Sequence, residues 1–267
     1  MVLVSPALIE KHVKSSPLLL KAWNLLQGDA EVQELLKMSN VNATVRMLYN
    51  DHGPVHAVIV AGASLEIMEL LLEGGIVPSS IAHGTTKEMD HARLIVMMGA
   101  YLHDIGNSVH RSSHEFSGVQ LSYFILSRLL PELFPEETRL VYRIRSEVMN
   151  VIHSTAPEIQ PITVEGSIVK VADGTDMAEG RARIPYAKGK MDMHALSAMS
   201  IKRVELEAGA SRPVRIKVFM NSYAGYFQLE HVLVPKVKST LIREQVEIAP
   251  ILISKEEEQR PLPLIQP

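Results

Sequence analysis

The chain has 267 residues, with 27 Lys+Arg against 30 Asp+Glu and a formal net charge of −3 with His neutral. Apolar residues make up 46% and charged residues 21%, which excludes a disordered chain, and the acidic excess argues against a surface for gripping long nucleic acid. With no Cys there are neither disulfides nor thiolate sites, so any metal must be held by His, Asp and Glu. At roughly 150 residues per domain, the length allows one large domain or one with a smaller partner. The N-terminal MVLVSPALIEKHVK lacks the basic start and cleavage site of a signal peptide. No run approaches the roughly 18 uncharged apolar residues of a membrane span. A cytoplasmic protein with no membrane partner is the expectation.

The first two-thirds read as helices. Residues 6–27 carry Leu18, Leu19, Leu20, Trp23 and Leu26 at helical spacing, with Gly28 as a stop. Further helices are expected over 29–49, 54–73, 88–103, 114–130, 136–153 and 161–178, with a break at Pro131–Pro135. Beyond Gly180 the period changes. Residues 199–207 (MSIKRVELE) and 213–220 (PVRIKVFM) alternate apolar and charged side chains, as half-buried strands do. Residues 224–241 read as helix and 245–253 as strand, a β-β-α-β unit. The tail KEEEQRPLPLIQP reads as a mobile end. The expected fold is mainly α: a helical bundle over 1–183, a small α+β domain over 184–253 and the tail 254–267. A role in dimerisation or regulation suits the α+β domain, because an exposed strand edge invites pairing with a second copy.

Chemistry concentrates in Tyr101-Leu-His103-Asp104-Ile-Gly106, at the end of an apolar helix. His56, His114, His153 and Asp173 each fall at the edge of an expected helix. Four imidazoles and two carboxylates suit Mn, Fe, Co, Ni or Zn better than Mg or Ca. Six ligands are too many for one tetrahedral ion but reasonable for two that share a carboxylate. His52 lies four residues before His56, yet Pro54 stands between them, so Asp51 and His52 are expected to cap the helix or support its ligands. His83 and His91 are read as solvent or packing residues, His194 and His231 as structural, and His12 as lacking chemical company.

These residues resemble the HD superfamily of metal-dependent phosphohydrolases, whose pattern is a His, then His-Asp, then a distant Asp on a helical bundle. His56 in HAVIVAGASLEI is similar to the first His, LHDIG supplies His103 and Asp104, and Asp173 in KVADGTD is similar to the closing Asp. His114 in His-Glu-Phe-Ser-Gly and His153 in VMNVIHST resemble the additional ligands of members with two metals. The resemblance spans about 56–183 and implies an all-helical catalytic domain. It implies one metal on His56, His103, Asp104 and Asp173, and a second on His114 and His153, with Asp104 bridging. Many members continue the motif as HDIGK, with the Lys near the substrate phosphate; here Asn107 stands in its place. A cationic phosphate contact must then come from elsewhere, and Arg111, His110, Arg181 and Arg183 flank ligand positions.

The resemblance implies hydrolysis of a phosphoester of a small molecule, a nucleotide first among them, by metal-activated hydroxide. Catalytic roles fall to Asp104, to Arg111 against developing charge, and to His110 as donor to the leaving oxygen. Two alternatives stay open. One is a metal-bound nucleotide sensor without turnover, favoured by the missing Lys; the other is an HD-fold di-iron oxygenase, which the same six ligands would serve.

Overall fold

A computed structural model describes residues 1–178, 193–253 and 259–267. Strand β1 (Val2–Leu3) opens the chain. The expected helix over 6–27 is two, α1 (Leu8–Val13) and α2 (Pro17–Gly28). Pro17 lacks the N–H that continuation would need, and Ser16 caps the new helix by accepting from the Leu19 N–H. Helix α3 (Ala30–Asn40) is capped by Asp29 and runs into a π-helical turn, Val41–Arg46, instead of continuing as α-helix to residue 49.

Helix α4 (Pro54–Glu73) is the centre of the bundle. It begins with Pro at its first position, where an N–H would be unsatisfied anyway. It is apolar around most of its circumference, as a helix enclosed by neighbours must be. It is also the one helix among the described residues long and apolar enough to cross a membrane, but 72% of that window is buried inside the protein. Helix α5 (Ser79–Ala82) leads to α6 (Met89–Leu102), followed by α7 (His114–Leu133), α8 (Thr138–His153) and α9 (Val164–Thr175). Pro131 does not break α7 as expected; it sits in the last turn, where forgoing one intrahelical bond costs little.

A helix over Met193–Ser200 leads into β2 (Ile201–Glu207), β3 (Val214–Met220), β4 (Val246–Ile253) and β5 (Gln259–Pro261). The sheet order is β1-β2-β3-β4-β5. Among the described residues only the β3–β4 pair is parallel. Parallel pairing requires a crossover, and the helical arm 226–238 supplies it. The β-β-α-β order read from the sequence is thus present, with a strand added at each edge. Val2 pairs with Leu206, 204 residues away in the chain. Residues 254–258 of the tail lie outside the described residues, but 259–267 are not the free end their composition suggests. Gln259 pairs with Ile253 and Pro261 with Ile251, while Ile265 and Ile248 exchange two backbone hydrogen bonds of 2.9 Å. The prolines are tolerated because they lie on an edge, and their neighbours satisfy the open side of β4. The hydrophobic core runs without interruption from Val60 and Leu65 of α4 to Val204 and Ile216 of the sheet.

Candidate metal centre

Four local devices bring the His-Asp motif to its position. First, α6 ends at Leu102, so His103 and Asp104 lie in the turn after it, and a 3-10 turn over Ile105–Ser108 carries the chain away. Second, the carbonyls of this turn are also engaged by the end of α3 and its π turn. Ser39 Oγ donates to the Asp104 carbonyl at 3.1 Å, and Asn42 Nδ2 donates to those of Asn107 at 2.7 Å and Ser108 at 2.9 Å. Third, Ser113 adopts a left-handed backbone (φ 56°) and turns the chain so that α7 starts on His114. Fourth, Gly106 has no side chain where α7 begins: a Cβ there would come within 2.5 Å of Gly118 N and closer still to the His114 carbonyl oxygen.

The result is a compact donor cluster. His56 Nε2 lies 3.3 Å from His103 Nε2, 3.3 Å from Asp104 Oδ2 and 3.3 Å from Asp173 Oδ1. His103 Nε2 is 3.4 Å from Asp104 Oδ2 and 3.8 Å from Asp173 Oδ1. Bond lengths of about 2.0–2.2 Å to a tetrahedral ion place its ligands roughly 3.4 Å apart. These five edges are of the length a divalent transition metal requires, and the donors form two triads able to hold one, His56-His103-Asp173 and His52-His56-Asp104. His56, His103 and Asp104 are 1–2% exposed, so the site is dry enough for charge to matter.

The outer nitrogens are fixed as well. His56 Nδ1 is 2.6 Å from Asp176 Oδ2, and His103 Nδ1 is 2.7 Å from the Ala100 carbonyl oxygen. Both partners are acceptors, so each Nδ1 carries the proton and each Nε2 presents a lone pair to the cluster. Burial pushes the His103 pKa down and keeps the ring neutral, as a ligand must be. Burial pushes Asp104 and Asp173 up, but that is outweighed. Both carboxyls lie well below the usual range, Asp173 chiefly through the Lys236 ammonium beside it.

Asp104 presents its two oxygens to different sides. Oδ2 faces His56 and His103; Oδ1 accepts from Asn107 Nδ2 at 2.8 Å and lies 3.1 Å from His114 Nε2. Asn107, standing where a Lys was missed, is fully buried and holds this carboxylate, while its own oxygen accepts from Arg111 Nη1 at 3.2 Å. Arg111 Nη1 is also 3.9 Å from Asp104 Oδ1, at the wall of a cavity of about 230 Å³ above the cluster.

The structure thus gathers His56, His103, Asp104, Asp173 and His114, with Arg111 beside them. It does not bring His153 to the cluster: the ring is exposed at the end of α8 and does not line the cavity. Val148, Val151 and Ile152 form the buried stripe of that helix, and residue 153 falls off it. His110 is also exposed and outside the cavity wall, with Nδ1 accepting the Ser112 N–H at 2.9 Å. Arg181 and Arg183 lie outside the described residues. His52, expected only to support the helix start, has Nδ1 2.6 Å from Asp104 Oδ2 and could share an ion with His56 and Asp104. Asp51 does not cap α4, whose start carries no side-chain cap; it accepts the Gly53 N–H at 2.9 Å in the turn before the helix. Asp176, Lys170, Lys236 and His231 of the site were missed; for Asp176 the signal was its spacing, one helical turn after Asp173. His12 does have company, lying 2.9 Å from Glu66 Oε2 in a buried pair that does not line the cavity.

Comparison with known proteins agrees with this geometry. Residues 56–178 match the HD domain family, a span that begins on His56 and includes the whole cluster apart from His52 and Lys236. The chain belongs to the HD superfamily, a family of metal-dependent phosphohydrolases. It is 39% identical over 226 residues to the uncharacterized protein MJ1020 of Methanocaldococcus jannaschii, covering 85% of this chain and 86% of that protein. No solved structure matches the chain.

Proposed function

We propose that the protein hydrolyses a phosphoester of a small phosphorylated molecule, with nucleotides the first class to test. One observation carries this reading: a dry four-donor cluster with the edge lengths of a metal site forms the floor of a cavity walled by cations. A divalent ion held by His56, His103, Asp104 and Asp173 would lower the pKa of water from about 16 toward 7 and offset phosphate charge. The protein's own groups do the rest. Asp176 and the Ala100 carbonyl aim the two imidazoles, and Asn107 fixes the angle of the Asp104 carboxylate. Arg111 stands where it can donate to a phosphoryl oxygen as charge develops. His114, and His52 in the place expected for His153, flank Asp104 on either side and are the donors available to a second ion. The modest cavity favours a small substrate over a polymer.

The test is metal content by mass spectrometry on wild type and Asp104→Ala, paired with a phosphoester screen across Mn, Fe, Co, Ni and Zn. Bound metal and turnover in wild type, both lost in Asp104→Ala, is the expected result. A wild-type protein that takes up none of these ions, or an Asp104→Ala variant that turns over normally, would overturn the reading.

A further inference from the structure

We infer that Lys236, delivered by the C-terminal part of the chain, is the phosphate-binding cation of this site and does the work for which the HD motif here has no Lys. This rests on the hydrolase reading for its substrate, but not on turnover.

Asn107 cannot serve, because it is fully buried and its amide is committed to Asp104. Lys170 reaches the same cavity, but two of its three ammonium donors go to the Ala156 carbonyl at 2.7 Å and the Ile159 carbonyl at 2.6 Å. Lys236 differs from both. Its Nζ pairs with Asp173 Oδ2, the oxygen opposite the one that faces His56, and its side chain keeps 25% exposure at the cavity wall. It therefore stands beside the cluster with donors left over. Arg111 holds the corresponding place on the Asp104 side, so a phosphoryl group over the cluster would have a cation on each flank.

The placement is built rather than incidental. Leu233 and Val237, on either side of Lys236 in the arm, are fully buried. Gly174, one residue after Asp173, lets the arm lie directly on α9: a Cβ there would come 3.1 Å from both Leu233 Cδ1 and Lys236 Cδ. Just past the arm, the Leu241 N–H donates to Ser167 Oγ of α9 at 3.2 Å. The apolar stem of Lys236 thus crosses Gly174 to reach the donors from outside the HD domain. The same arm brings His231 to the cavity wall, which Ser239 joins directly after it. A solvent-exposed ion pair would contribute little, whereas this one is held by packing on both sides.

The experiment measures inorganic phosphate binding to cobalt(II)-loaded wild type, Lys236→Ala and Lys236→Arg, read from the visible cobalt spectrum, with cobalt content measured on each. Removing one charge-assisted contact should weaken phosphate binding in Lys236→Ala by roughly 10- to 100-fold at unchanged cobalt content. Lys236→Arg should restore most of it, which a purely structural role would not predict. Phosphate affinity in Lys236→Ala within about twofold of wild type, loss of cobalt from that variant, or no phosphate binding to wild type at millimolar concentration would each overturn the assignment. Lys236-dependent phosphate binding in a protein that hydrolyses no phosphoester would leave the assignment standing and remove the hydrolase reading. Hydrolysis with Lys236-independent phosphate binding would do the reverse.

Discussion

Two glycines meet where α7 docks on the His-Asp turn, and the structure predicts opposite fates for them. Adding a methyl group at Gly106 puts a Cβ 2.5 Å from Gly118 N, where ordinary contact begins at 3.4 Å, so the backbones must part by at least 3.4 − 2.5 = 0.9 Å, and by more at the His114 carbonyl. Neither obstacle is the end of a flexible side chain, so relief comes only by moving the start of α7. Overpacking of this kind costs about 3 kcal/mol, which for a chain of this size lowers Tm by roughly 6–12 °C. The same movement draws His114 Nε2 away from Asp104 Oδ1, now 3.1 Å distant, so metal content should fall as well. A Cβ at Gly118 meets nothing nearer than 3.5 Å. Ala is the better helix former there by about 1 kcal/mol, so Gly118→Ala should leave Tm unchanged or raise it by roughly 2–4 °C. Thermal melts and metal analysis of the two variants decide the matter. Equal losses in both, or a harmless Gly106→Ala, would refute the idea that close backbone approach is what the motif glycine provides.

Asp176→Asn should keep the fold but lower metal affinity by roughly 10- to 100-fold, since it removes the carboxylate that orients His56; a metal titration reads it. His153→Ala should leave metal content and turnover as in wild type, while His52→Ala, whose parent ring sits 2.6 Å from Asp104, should reduce both; the reverse pattern would restore the sequence expectation. Glu66 accepts from Lys11 at 2.7 Å and His12 at 2.9 Å. Burial pushes its carboxyl up, but these bonds more than offset that and leave it below the ordinary value of 4.5. A depressed folded pKa stabilises above the unfolded value and loses that stability as pH falls through the folded one. Glu66→Gln should therefore cost about 1–3 kcal/mol at neutral pH, and its Tm deficit relative to wild type should shrink in melts below about pH 4.5.

How much of this was legible follows from what each residue depends on. His56, His103, Asp104, His114 and Asp173 sit at the ends of strongly periodic helices, and helix ends with a motif spacing can be read from one chain. His153 satisfied the motif but not the helical phase, because the buried stripe through Val148 and Ile152 turns the ring outward. His52 was discounted because Pro54 interrupts the regular spacing, yet the extended stretch before α4 returns its ring to Asp104. Lys236 could not be found locally at all. Its place depends on a parallel strand pair, a crossover and a glycine on another helix, and no periodicity within residues 226–238 reports any of these. The paired tail was missed for a related reason: a polar, Pro-rich composition describes an edge strand as well as a free end.

The order of residues along the chain also sets the order in which the site can be assembled during synthesis. Every donor in the cluster lies between residues 52 and 173, whereas Lys236 comes 63 residues after the last of them. The segment bearing Lys236 joins β3 to β4, and that sheet also takes in Val2, paired with Leu206, 204 residues further along the chain. A nascent chain can thus present the full set of metal donors before it owns the cation that receives the phosphate. Metal capture and substrate capture become successive events, and the second waits on a sheet whose β1–β2 pairing closes a loop of 204 of the 267 residues.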